Sequence, residues 1–162
     1  MESHITFDLF RYFLFVLDRF FPKGENILLF PVRNRQEFRD NLRFFHESAS
    51  QSPEFDCVIL CYQKGKWNRE GVFFFHSLKG ILAWLRARMI VIHHGRGDIP
   101  FSRTMDLRRR NLINLWHGIP VKGIGYTSRD KDERKLGREF KTYKAIICSS
   151  ELDQLAMQTS FR

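Results

Sequence analysis

Few features of this 162-residue sequence would settle its chemistry at a glance. It has three cysteines, Cys57, Cys61 and Cys148, each inside an apolar run that reads as a strand. None stands in CxxC or Cys/His zinc spacing, which argues against a metal site or a disulfide scaffold and predicts buried, reduced thiols of a cytosolic protein. No uninterrupted apolar run reaches the ~20 residues that span a bilayer. The first apolar stretch carries Asp8, Arg11, Asp18 and Arg19 and is followed by no small-residue cleavage site, so no secretory leader is evident. Internal repeats and low-complexity tracts are also missing. Acid is scarce relative to base: 18 acidic against 27 basic side chains leave a formal charge of +9, which favours an anionic partner such as a phosphorylated substrate, acidic lipid headgroups or nucleic acid. What the chain has in quantity is apolar residues, 43%, enough for the core of one domain, and a surplus of 17 phenylalanines that must be buried against something.

His4 to Phe21 is nearly continuous in apolar residues yet broken by charge. On a helical wheel at ~100° per residue, His4, Asp8, Arg11, Asp18 and Arg19 share one sector, and Phe7, Phe10, Phe13, Leu14, Leu17 and Phe21 lie outside it. Residues 1–21 are therefore expected to form an amphipathic helix with a wide aromatic face, packed on the core or lying at a membrane surface. Pro22-Lys23-Gly24 ends it.

Apolar runs then alternate with amphipathic segments. Strands are expected at 26–31, 57–61, 89–92, 112–115 and 145–148, and Val72 to Phe75 reads as a short strand or the opening of a helix. Helices are expected at 36–47, with Phe38, Leu42 and Phe45 inward, at 76–88, with Leu78, Ile81, Leu82 and Leu85 on one side, and at 130–143, with Leu136, Phe140 and Tyr143 inward. The last of these holds an Asp130/Arg134 pair at favourable spacing. A final helix opens at Ser149-Ser150-Glu151, where Ser150 and Asp153 stand in capping-box register. The alternation predicts an α/β fold over residues 22–162, a Rossmann-like parallel sheet with helices on both faces. Ligands of such folds bind outside the carboxyl ends of the strands, where His93-His94, Trp116-His117-Gly118 and Ser149-Ser150 all fall. Arg96-Gly97-Asp98 spells an adhesion tripeptide, read here as coincidence.

The stretch from Asn114 to Gly125 packs a histidine, a lysine, a proline and three glycines where a buried strand would end. Two familiar phosphate loops fail on it. Gly118 and Gly123 have P-loop spacing, but Lys122 is on the wrong side and Ile124 stands at the lysine position; Gly123-Ile124-Gly125 begins a dinucleotide fingerprint that Ser128 interrupts. What remains is backbone whose amides can face an anion, with Lys122 beside it as a point charge. His117 is placed to take a proton from a hydroxyl near neutral pH, Gly118 leaving room for approach and Pro120 stiffening the turn, or else to hold its loop by hydrogen bonding. His93 and His94 read as structural or rim residues. No acidic partner accompanies any of the three.

Trp116-His117-Gly118-Ile119-Pro120-Val121-Lys122, with Gly123-Ile124-Gly125 behind it, resembles the Trp-His-Gly-Thr-Pro-Leu-Lys motif of the CDP-glycerol glycerophosphotransferases that build teichoic acids and related capsular polymers. Tyr143 to Ser150 is similar to the strand-then-serine segment of that family. Ile119 and Val121 depart from the motif, and no role passes to position 119. The resemblance implies the first, acceptor-side domain of a two-domain GT-B enzyme, with the CDP-glycerol pocket in a second domain beyond this sequence and the chain inactive alone. It implies attack of a hydroxyl of a lipid-linked glycerol-phosphate or glycan acceptor on CDP-glycerol with loss of CMP. His117 would be the catalytic base, and Trp116, Gly118, Pro120, Lys122, Gly123, Ser149 and Ser150 would bind substrate. No cofactor, metal or nucleic acid is implied. The expected location is cytoplasmic and peripheral, on the anionic inner face of the cell membrane. A different GT-B glycosyltransferase, a non-catalytic Rossmann-like module and a nucleic-acid-binding module are the alternatives.

Overall fold

The computed structural model describes residues 2–63, 67, 69–102, 104–118, 123–129 and 132–161, with side chains from residue 9 onward. Its frame is a six-stranded sheet in the order β3-β2-β1-β4-β5-β6, every pairing parallel. The strands are β1 (Gly24–Val32), β2 (Asp56–Cys61), β3 (Val72–Phe74), β4 (Ala87–Ile92), β5 (Asn111–Asn114) and β6 (Tyr143–Ile146). The run at 72–75 is thus a strand. β1 lies in the middle and its apolar residues are buried on both faces, as central parallel strands require. Ile27 and Leu29 point to one side, into a core with Leu14, Trp84, Leu85 and Leu112; Leu28 and Phe30 point to the other, against Phe38 and Leu42. The two sides are covered by different helices, so the expected two-faced Rossmann-like architecture holds.

The helices are α1 (Glu2–Phe20), α2 (Asp40–Ala49), α3 (Leu78–Arg86), α4 (Glu133–Phe140) and α5 (Glu151–Ser160). α2 starts later than its periodicity suggests because Asn34 caps a separate 3-10 turn at Arg35–Glu37 with its side-chain oxygen. α2 buries Leu42 and His46, whose ring lies edge-on to Phe30 and Phe38. α3 departs from its expected face. Leu78 and Leu82 are exposed, while Ala83 and Trp84 join Leu85 in the core. Gly80 explains the rotation: a Cβ there would sit 2.0 Å from the Phe74 carbonyl oxygen, so the bare glycine lets the first turn press onto β3. α4 ends at Phe140, and Tyr143 opens β6 instead of closing the helix. Asp130, the partner expected for Arg134, lies outside the described residues.

α1 differs most from expectation. Leu14 is buried, and Leu17 and Phe21 pack beside it as the wheel requires. Asp18, placed by the wheel in the polar sector, is fully buried with them. Its Oδ1 accepts from Lys23 Nζ at 2.7 Å and from the Arg110 guanidinium, and its Oδ2 accepts from the backbone N–H of Asp106 at 2.7 Å. Lys23 also donates to the carbonyls of Asp18 and Leu85, and Arg110 to those of Ala87 and Leu85. Burial lowers the pKa of both cations, and the carboxylate opposes that shift. Asp18 alone of the C-terminal polar residues therefore faces inward, and Arg19 faces out with Leu9, Tyr12, Phe13, Phe15 and Phe20.

Removing the charge of Asp18 leaves two buried cations without their counter-ion, a change that typically costs about 3–5 kcal/mol. Asp18→Asn is therefore expected to lower the denaturant midpoint by that order with the slope unchanged. A loss below about 1 kcal/mol, the scale of an exposed ion pair, would show that the pair is not an anchor.

Candidate functional site

Because the strands run parallel, the carboxyl ends of β4, β5 and β6 lie side by side, next to the switch in strand order between β1 and β4. The sequence after β4 is His93-His94-Gly95, after β5 Leu115-Trp116-His117-Gly118, and after β6 Ile147-Cys148-Ser149-Ser150. Leu115 N–H donates to the Ile92 carbonyl and Ile147 N–H to that of Asn114, so the ladder continues into these loops and fixes them against one another.

Asn114 closes β5 with its side chain fully buried. Its Oδ1 accepts from Trp116 N–H at 2.9 Å and its Nδ2 donates to the His94 carbonyl. The first contact curls the chain back over one residue. Trp116 consequently takes φ +52, a left-handed conformation that is strained for an aromatic residue, and Gly118 follows at φ +123, where among the described residues a Cβ would meet nothing within 4 Å. Asn41 Nδ2, at the start of α2, donates to the Trp116 carbonyl at 3.1 Å and holds the turn from the other side of the strand-order switch. Trp116 stacks on His117 with ring centroids 4.6 Å apart and meets Phe161 edge-on. His117 is thereby presented exposed beyond a rigid, half-buried tryptophan.

The three histidines meet. The His93 ring lies 5.7 Å from that of His117 and edge-on to it, and His94 lies 5.2 Å from His117 and 4.6 Å from His93. They also have an acidic neighbour, contrary to the sequence reading. Asp98 Oδ1 is 3.7 Å from His94 Nδ1, while its Oδ2 accepts from the backbone N–H groups of His93, His94 and Gly95. The tripeptide that looked coincidental thus supplies the residue that shapes this loop. His93 is buried, and its Nε2 has no partner among the described residues; the same is true of Trp116 Nε1 and Asp153 Oδ1. Burial above all, with the nearby His94 and His117 rings adding to it, holds the His93 pKa below its ordinary value, so this ring is neutral near pH 7.

The remaining expected residues divide. Gly123 sits where a Cβ would lie 2.5 Å from the Thr127 carbonyl oxygen, which ties it to a tight turn. Pro120 and Lys122 lie outside the described residues. Ser149 and Ser150 reach the same end of the sheet, but their hydroxyls serve α5: Ser150 Oγ accepts from Asp153 N–H and Ser149 Oγ donates to Asp153 Oδ2. Among the described residues no group of three His, Cys, Asp or Glu side chains is arranged to hold a metal ion. The three thiols are free, each with its pKa raised by burial. Sequence reasoning missed Asn114, Asn41 and Asp98, whose roles depend on contacts between separate loops. An asparagine ending a strand two residues before a left-handed tryptophan was the one local signal.

A model of the CDP-glycerol:poly(glycerophosphate) glycerophosphotransferase family matches residues 13–162. Solved structures of the wall teichoic acid polymerase TagF are similar in fold. A CDPG-soaked histidine variant superposes with a TM-score of 0.69 at 15% identity, covering 99% of this chain and 43% of that one. Another histidine variant gives 0.66 at 14% identity, over 86% of this chain and 36% of that one, and the polymerase without a named substitution gives 0.60 at 14%. The chain thus spans well under half the length of these structures. No curated protein matches it significantly.

Burial also lowers the pKa of His46. Below the ordinary histidine value of 6.5, the unfolded chain takes up protons at His46 and His93 that the folded chain refuses, so stability falls as pH falls and is fully present above that value. Urea midpoints are expected to drop on going from about pH 7 to about pH 5, and His46→Gln to flatten part of that slope. A midpoint in the parent chain that holds level across this range would contradict the burial argument.

Proposed function

The chain belongs to the CDP-glycerol:poly(glycerophosphate) glycerophosphotransferase family, and from that membership we propose that it is the acceptor-side, Rossmann-like half of a GT-B enzyme that transfers glycerol phosphate from CDP-glycerol to a hydroxyl of a lipid-linked acceptor. The observation that carries this reading is the presentation of His117: exposed at the end of β5, stacked on a strained Trp116 and followed by Gly118 at φ +123. A base that serves a bulky acceptor must be reachable yet oriented, and this turn meets both demands.

In the proposed reaction the acceptor oxygen bonds to the β-phosphorus of CDP-glycerol as the bridging P–O bond to CMP breaks. His117 accepts the hydroxyl proton, and CMP leaves with the electron pair of the broken bond. Lys122 and the glycine backbone at Gly118 and Gly123 are assigned to phosphate charge, and Trp116 to the wall of the acceptor site. Pro120, between them in sequence, is assigned to substrate binding. Ser149 and Ser150 contribute through the position of the α5 N-terminus, since their hydroxyls cap it. The donor pocket is assigned to a second domain, so the 162-residue chain is expected to release no CMP from CDP-glycerol.

Leu9, Tyr12, Phe13, Phe15 and Phe20 on the outer face of α1 support docking to a membrane surface. Arg19 on the helix, with Arg109 donating to its carbonyl, supplies charge for an anionic leaflet. No helix among the described residues is long and apolar enough to cross a membrane, which fits attachment from one side.

General-base assistance is worth about a hundred- to ten-thousand-fold, so His117→Ala in an assembly that turns over CDP-glycerol is expected to lower kcat by that order with KM little changed. A loss under about tenfold would reduce His117 to loop support. For docking, deleting α1 would also uncover Arg110, so point changes on the outer face are the cleaner probe. Phe13→Ser with Phe20→Ser should weaken binding to anionic vesicles by roughly ten- to a hundredfold without lowering stability. Unchanged binding would leave those rings without a membrane role.

A further inference from the structure

We propose that a cation-lined cleft beside α4 and β6 is a tract for a linear polyphosphodiester, leading an acceptor chain between the His117 site and the opposite end of the sheet. This rests on the glycerophosphotransferase reading and adds the path of its polymeric substrate. Two cavities, of about 630 and 710 Å³, share Arg96 and Arg138 as lining residues and so adjoin along one side of the molecule. The first lies between α4 and the loop that follows β4, with Arg96, Lys135 and Arg138 around it. Arg96 is two residues beyond His94, whose ring touches that of His117. The second reaches the amino ends of β5 and β6, where Arg108, Lys141 and Lys144 are added.

These cations are not spent on neighbours. Among the described residues Arg108, Lys135, Lys141 and Lys144 have no ion pair, and the Arg138 and Arg96 guanidinium groups donate to the backbone carbonyls of Arg134 and Ser102. The acids in the channel are already engaged. Glu139 Oε1 accepts from Tyr143 O–H at 2.7 Å and from Arg96 N–H, and Asp106 Oδ1 accepts from Arg108 N–H. Lys135, Arg138, Lys141 and Lys144 recur at every third residue from α4 through the turn into β6, placing a row of charge along the channel.

Such a row suits an anion repeated along a chain better than one phosphate, which would be held by convergent donors. Among the described residues Tyr143 is the one aromatic side chain lining the cleft, and it is half-buried with its ring packed beside Phe140 and its hydroxyl donating to Glu139, so base stacking, which usually helps hold a nucleic acid, has little to use here. A flat bilayer cannot enter a concave channel, whereas the exposed face of α1 is convex.

The test is binding of end-labelled, lipid-free poly(glycerol phosphate) of graded length to the 162-residue chain, read by fluorescence anisotropy. Affinity is expected to rise with length until the channel is filled. The exposed pair change Arg138→Glu with Lys141→Glu should weaken the longer chains roughly tenfold or more, as expected when two exposed phosphate contacts become repulsions. Arg35→Glu with Arg43→Glu, in a separate basic pocket against α2, should leave binding unchanged. Equal losses from the two pairs would reduce the effect to net charge and overturn the proposal, as would affinity independent of length. It would equally be overturned if the channel pair lost binding to anionic vesicles while keeping the polymer. Unchanged polymer binding alongside a strong His117→Ala defect removes the tract and leaves the transferase reading intact. Length-dependent binding lost in the channel pair, with no CMP release from a two-domain preparation, keeps the tract and removes the reading.

Discussion

The structure turns on one buried carboxylate. Asp18 is enclosed by Lys23, Arg110 and the N–H of Asp106, and through them it joins the end of α1, the start of β1, the α3–β4 junction and the start of β5. A buried ion pair gives little net stability over well-packed apolar groups, because desolvation offsets most of the attraction. What it gives here is position. The carboxylate accepts only if α1 is rotated to bring Asp18 inward, and that rotation turns the aromatic side of the helix outward. Arg110 immediately precedes β5, so the same contact fixes the beginning of the strand whose other end carries Trp116 and His117.

At that other end the structure trades regularity for presentation. The Asn114 side chain replaces the next backbone contact of the strand and forces Trp116 into a left-handed conformation. Strain of this kind persists where surrounding contacts over-determine it. Asn41 and the His94 carbonyl do so from opposite sides. Three buried polar atoms without partners among the described residues, on His93, Trp116 and Asp153, lie at this end of the sheet. Among the described residues Arg110 Nε is the one other buried side-chain nitrogen or oxygen without a partner, so the orphans concentrate where a polar ligand would be received.

The strands, the placing of the three polar clusters at one sheet edge and the motif around His117 were legible in the sequence, because short apolar runs and a local motif need no knowledge of distant contacts. The rotations of α1 and α3 were not. In α1 the wheel assumes that charge faces water, and the two cations that reverse this for Asp18 lie 5 and 92 residues away. In α3 the decisive fact is a backbone approach that only Gly80 permits. The part of Asp98 was hidden for the same reason: a carboxylate collecting three backbone N–H groups leaves no periodic signal.

The central claim is that the β5 loop presents His117 to an acceptor carrying glycerol phosphate. Imidazole proton–nitrogen spectra of the chain, titrated with a short, soluble glycerol-phosphate oligomer, test it directly, since each histidine ring reports separately. The account predicts that the His117 resonances move first and furthest, those of His93 and His94 follow, and those of His46 and His76 stay fixed. Movement confined to His46 or His76, or a silent His117 at saturation, would contradict it.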